Sequence, residues 1–148
     1  MSRGRNLRLL AASLSFTVAS CGPAPAAPPN PVLYLMGTEA YETGGKTWIR
    51  HNYDVQNKDQ YPAAMFAPAP SLPPCGTNTN SSRTWVDIFN GRKPYGRIYG
   101  FCSLGSPQDL GSLWFAVEKG VRPPSLVFIK ITDRQTGEVK PSGRVATH

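Results

Sequence analysis

The amino-acid sequence predicts an all-β fold, a single sandwich of seven or eight short antiparallel strands. Three observations predict it. Fifteen prolines and fourteen glycines in 148 residues interrupt the chain too often for long helices. Between the interruptions lie short segments rich in β-branched and aromatic residues, several alternating apolar with polar. The length suits one domain, and 40% apolar with 10% aromatic residues is enough to fill one core.

The folded domain is expected over residues 32–148, and its elements follow in order. "VLYLM" (32–36) is a short apolar first strand. "TWIRHNYDV" (47–55) alternates, putting Ile49, His51, Tyr53 and Val55 on one face and Trp48, Arg50, Asn52 and Asp54 on the other. "YPAAMFAPAPSLPP" (61–74) is broken by proline, which reads as a short edge strand near 63–66 followed by a loop. "RTWVDIF" (83–89) is apolar on both faces and so central. "RIYGFC" (97–102) is a further strand. In "SPQDLGSL" (106–113), Ser106 as cap and Pro107 at the first position predict one helical turn. "SLWFAV" (112–117) sets Leu113, Phe115 and Val117 against Trp114. "SLVFIKITD" (125–133) points Val127, Ile129 and Ile131 inward and Lys130 and Thr132 outward. "DRQTGE" (133–138) is a hairpin turn with Gly137 at its left-handed position, and a last strand covers 138–142.

Ahead of the domain the pattern changes. Residues 1–8 are polar and carry Arg3, Arg5 and Arg8; "LLAASLSFTVA" (9–19) is apolar and uncharged. This is the layout of a secretory signal over residues 1–20, and 11 apolar residues are too few to span a bilayer. The run ends in Val18-Ala19-Ser20-Cys21, which resembles the lipobox of bacterial lipoproteins; Val18 and Ser20 are variants of the commonest pattern. The resemblance implies cleavage before Cys21 and lipidation of its thiol. It further implies a membrane partner through the N-terminal lipid and residence in the bacterial cell envelope, facing the periplasm or the surface. Gly22, standing where aspartate would favour inner-membrane retention, points to the outer membrane in a double-membraned cell. Prolines 23, 25, 28, 29 and 31 make residues 21–31 an extended tether, reaching roughly 30 Å at about 3.1 Å per residue.

Once Cys21 is assigned to lipid, Cys75 and Cys102 remain, and an oxidising compartment predicts a disulfide between them. The loop of about 27 residues would be worth on the order of 3 kcal/mol. The second half of the chain ("PPCGTNTNSSRTWVDIFNG", "GFCSLGSPQDLGSLWFAV", "PPSLVFIKITDRQTGE") resembles immunoglobulin-like or fibronectin-type-III-like modules of bacterial surface proteins. That resemblance implies the architecture only, because such sandwiches host many functions.

Charge and chemistry narrow the function. The formal +7 overstates the domain's basicity, since the leader holds three of sixteen basic residues; the remaining 13 against nine acids leave +4. Those cations are scattered singly along the sequence, which argues against nucleic acid as a partner. His51 is the only histidine inside the domain and falls on an apolar strand face, so it reads as structural; no carboxylate pair, CxxC or calcium-loop run stands out. Asp54, Asp59, Asp87 and Asp133 read as solvated turn acids. No catalytic residue, cofactor or metal site is therefore expected. The function expected is a non-catalytic binding or structural module, with another envelope protein or a glycan as partner. The sharper alternative is binding of carbohydrate or peptidoglycan through Trp48, with Arg50 and Asp54 beside it on one strand face, because an exposed indole among polar groups can stack on a sugar ring.

Overall fold

A computed structural model describes residues 22–23, 26–75, 82–102 and 104–148. Among the described residues eight strands form, named β1 (Leu33–Thr43), β2 (Lys46–Val55), β3 (Thr84–Asn90), β4 (Arg97–Phe101), β5 (Leu113–Glu118), β6 (Leu126–Asp133), β7 (Val139–Pro141) and β8 (Val145–Ala146). They make two antiparallel sheets. The first has the order β1-β2-β5; the second has β4-β3-β6-β7, with β8 also on β6.

β1 is longer than the expected run over 32–36. Its register shifts by one residue between Leu35 and Gly37, and the strand then continues to Thr43. Gly44 and Gly45, at φ 59° and 72°, close a two-residue hairpin into β2. Only glycine takes two successive left-handed positions without steric cost, and such a turn matches the twist of the strands it joins. β3 is central, between β4 and β6, as its two apolar faces require. The turn after β6 closes as expected, with the Gly137 N–H donating to the Asp133 carbonyl at 2.7 Å.

Residues 63–66 do not form the expected edge strand. They form a 3₁₀ turn, Ala63–Phe66, entered from an extended Pro62. The reason is packing: the turn drops Met65 and Phe66 into the core at 5% and 2% exposure, whereas a strand would put them on opposite faces. The turn is fastened by the Thr84 hydroxyl, which donates to the Met65 carbonyl. The expected helical turn at 106–113 is the 3₁₀ segment Pro107–Gly111, and the Asp109 carboxylate accepts the N–H groups of Gly105 and Ser106 at 2.8 and 3.0 Å.

The core lies between the sheets. Leu33, Tyr53, Val55, Leu113 and Phe115 come from the first sheet; Val86, Ile88, Val127, Ile129 and Ile131 come from the second. Tyr61, Met65, Phe66, Leu104 and Leu110 plug it from the connections. Each such side chain contributes about 1.5–3 kcal/mol through burial. At one end Arg83 grips Asp133 through two hydrogen bonds of 2.8 and 2.7 Å. This guanidinium holds the Asp133 carboxyl down at about 2.

His51 is buried at 4% exposure and stacks on Phe115 with ring centroids 4.8 Å apart. Its Nδ1 lies 3.2 Å from the Thr147 carbonyl oxygen of the C-terminal segment, and burial lowers its pKa.

The expected bridge between Cys75 and Cys102 is not formed. Both are free thiols, and the Cys102 Sγ lies 3.3 Å from the Cys75 carbonyl oxygen, so that sulfur bonds to backbone instead of to the other sulfur. Cys21, the expected lipidation site, lies outside the described residues.

Candidate functional site

The three residues Trp48, Arg50 and Asp54 do share the outer face of the first sheet. The structure does not bring them into one site. Trp48 and Asp54 lie six residues apart on β2, roughly 20 Å at about 3.3 Å per residue. Asp54 is occupied at the far end: Lys58 donates to both its oxygens at 2.7 and 2.8 Å, and the Tyr34 hydroxyl donates to Oδ2 at 2.9 Å. That arrangement raises the pKa of Tyr34 and of Lys58, in each case chiefly through the hydrogen bond to Asp54. Asp54 therefore drops out of the candidate site as a structural acid.

Around Trp48 the structure assembles a different set. Cross-strand register places Tyr41 of β1 opposite Trp48, Ala116 of β5 opposite Arg50, and Trp114 of β5 opposite Asn52. The edge strand β4 of the second sheet then approaches the edge strand β5 of the first, and Tyr99 stacks on Trp114 at 5.2 Å. Between them opens a cleft of about 240 Å³ lined by Tyr41, Thr43, Trp48, Ile98, Tyr99, Trp114, Phe115 and Ala116. This lies below the roughly 300–1,000 Å³ of enclosed small-molecule pockets. It suits one flat, ring-sized group lying against the sheet edge.

The lining has no charge. The polar side-chain groups of its lining residues are the hydroxyls of Tyr41, Tyr99 and Thr43 and the indole N–H groups of Trp48 and Trp114. Charge sits at the rim. The Arg50 guanidinium lies 4.5 Å from the Trp114 ring centroid and 4.8 Å from that of Tyr41, holding both rings in place by cation–π attraction. Arg50 also donates to Glu39 at 3.2 Å, and Asn52 donates to the same Glu39 oxygen at 3.3 Å. Arg50 thus supports the cleft without lining it. Its Nε is buried with no hydrogen-bond partner among the described residues.

Charges on this face pair off: Lys46 with Glu118 at 2.9 Å, Arg50 with Glu39 at 3.2 Å, and Lys58 with Asp54 at 2.7 Å. The acids expected as solvated turn groups are held by protein groups instead, and Asp54 and Asp133 are buried at 8% and 4% exposure. Asp87 accepts from the Trp85 indole at 2.9 Å, Asp59 from Gln108 at 2.9 Å, and Asp133 from Arg83.

Sequence reasoning identified Trp48 and Arg50 and missed Tyr41, Tyr99 and Trp114 as their partners. Tyr41 was within reach, because Gly44-Gly45 between two runs of strand-forming residues signals a hairpin that sets Tyr41 beside Trp48. Tyr99 and Trp114 meet through the packing of two sheet edges, for which no local signal exists. Scans of the chain against protein-family models, curated proteins and solved structures found no match.

Proposed function

We propose that this chain is a lipid-anchored, extracytoplasmic, non-catalytic binding module of the bacterial cell envelope, and that it binds glycan through the aromatic cleft. The single observation that carries the binding reading is the uncharged cleft of Tyr41, Trp48, Tyr99 and Trp114 with a polar rim. A pyranose ring has one apolar C–H face and a periphery of hydroxyls. Flat aromatic walls suit the face, while the phenol, indole and Thr43 groups with the Glu39–Asn52–Arg50 network suit the hydroxyls.

The tether supports the anchored reading. Chain entry is fixed at one end of the molecule: Pro29 and Asn30 accept hydrogen bonds from Tyr61 and Asn57, and the Val32 N–H donates to Asn57. Val32, Tyr34 and Met36 expose apolar surface at that same end. The cleft runs from the level of Gly37, where Asn52 pairs with Trp114, toward Thr43. Its Tyr41–Trp48 end thus lies eight residues along β1 from Leu33, or roughly 26 Å at about 3.3 Å per residue. A module tethered at its Leu33 end would hold the cleft away from the membrane. The fold reading within this proposal is fibronectin-type-III-like, and three strands β1-β2-β5 facing β4-β3-β6-β7 support it.

Two experiments test the proposal separately. Cys21→Ser should release the protein from membranes and abolish incorporation of labelled fatty acid; membrane retention equal to wild type contradicts the anchor. Trp48→Ala should weaken retention on isolated cell wall or on a bound polysaccharide at least tenfold, about 1.4 kcal/mol, with an unchanged melting temperature. Failure of the wild type to bind any glycan contradicts the binding reading.

A further inference from the structure

The outer face of the second sheet differs in charge from the cleft-bearing face. Its outward side chains include Trp85, Asp87 and Phe89 on β3, Arg97 on β4, and Phe128, Lys130 and Thr132 on β6. Three aromatic groups of this region carry a cation. Arg134 lies 5.6 Å from the Trp85 ring centroid, Lys130 lies 4.8 Å from that of Phe89, and Arg144 lies 5.3 Å from that of Tyr95. Tyr95 in turn packs edge-on against Phe128 at 5.7 Å. One acid, Asp87, faces the four cations, and it is shared between the Trp85 indole and Arg97. Arg134, Lys130 and the Arg144–Tyr95–Phe128 group follow β6 from end to end. They form a row about six residues long, on the order of 20 Å. Singly scattered in sequence, these cations are gathered by the sheet.

We infer that this face binds a linear acidic polysaccharide, which names the ligand class of the glycan reading above and rests on it. Charge complementarity calls for a polyanion, and a row along one strand suits a linear one. The aromatic groups decide its kind. Trp85, Phe89 and Tyr95 each have a cation over one ring face, Phe89 also stacks on Phe128, and Tyr95 alone is exposed, so the face offers no run of open rings for successive bases. A chain of sugar carboxylates needs only the cations. β4 joins the two surfaces, since it gives Ile98 and Tyr99 to the cleft and Arg97 to the basic face. One polymer can therefore stack a ring in the cleft and pair its acids on the row.

The test compares full-length wild type with Lys130→Glu/Arg144→Glu, its milder counterpart Lys130→Gln/Arg144→Gln, a charge-matched Lys119→Glu/Arg122→Glu control in the β5–β6 connection, and Trp48→Ala. The probes are polygalacturonate, dextran and oligothymidylate, with melting temperature as the folding check. Polygalacturonate should bind wild type and control alike, in a salt-dependent manner. The Glu pair should bind it at least tenfold more weakly, with the Gln pair in between. Equal binding of polygalacturonate by wild type and either face variant overturns the inference, and if Trp48→Ala then still weakens dextran the cleft reading survives it. Face-dependent binding indifferent to Trp48→Ala upholds the inference and removes the cleft. Tighter binding of oligothymidylate than of polygalacturonate overturns it in favour of nucleic acid.

Discussion

Both outer faces of this molecule combine aromatic rings with cations, yet they are built for different contacts. On the first sheet one cation, Arg50, serves two rings at once and is itself paired with Glu39. Charge there is balanced, and the faces of Trp48 and Tyr99 are left to line an open cleft. On the second sheet three of four cations each sit on a ring, the fourth, Arg97, pairs with Asp87, and Asp87 is the one acid facing them among the described residues. Ring surface is partly covered and positive charge is in excess, although Arg134 also donates to the Ser82 and Pro73 carbonyls and Tyr95 stays 40% exposed. An aromatic-rich sheet face is therefore not by itself a stacking platform; what covers each ring decides what the face can hold.

The two faces should also differ in how tightly they are coupled to stability. Phe115 backs the cleft from the core side of β5, lies at 1% exposure, and stacks with His51 and Tyr53. Phe115→Ala should cost about 3–5 kcal/mol in denaturant unfolding and open the cleft's inner wall. The corresponding truncation on the other face, Lys130→Ala, should cost under about 1 kcal/mol, because it removes one exposed cation–π contact. Equal losses would erase the distinction.

A smaller effect comes from Arg83. In the fold its guanidinium holds Asp133 at about 2 against an ordinary 3.8. The folded state thus favours the carboxylate, and the stability this contributes, about 2 kcal/mol, is complete above about pH 4 and lost as pH falls toward 2. Arg83→Ala should lower stability by a similar amount at neutral pH and flatten the acid branch of the stability curve. An unchanged acid branch would count against the pairing. Smaller still is the effect of His51. Burial lowers its pKa, so the unfolded chain takes up the proton first and stability should decline as pH drops below about 6.5. His51→Phe should remove that decline between pH 7 and 5 while leaving the Asp133 branch in place, as read from melting temperature against pH.

The all-β fold was legible because alternation in 47–55 and 125–133 reports directly on which side chains face the core. Central placement of β3 was legible from its two apolar faces. Residues 63–66 were not, because apolar composition over four residues fits a strand or a turn equally, and the choice is made by where Met65 and Phe66 find room. Nor was β8, whose two residues are held by pairing with β6. In the candidate site, Trp48 and Arg50 were legible from strand alternation. Asp54 shares their face, but alternation gives direction without distance or partner, so its engagement by Lys58 and Tyr34 was not. The basic row was hidden for the same reason: Lys130, Arg134 and Arg144 are spread over fifteen residues, and only the sheet and the Tyr95 contact gather them.

The three tryptophans allow both faces to be read in one spectrum. Trp48 and Trp114 line the cleft, and Trp85 lies under Arg134 on the basic face. The most direct test of the central claim is to follow their indole N–H signals by ¹H–¹⁵N NMR while soluble cell-wall oligosaccharides are added, neutral ones first and acidic ones second. The account predicts that neutral oligosaccharides shift Trp48 and Trp114 and leave Trp85 in place, and that acidic ones shift all three. If Trp48 and Trp114 stay fixed with every oligosaccharide, the aromatic cleft is not a glycan site.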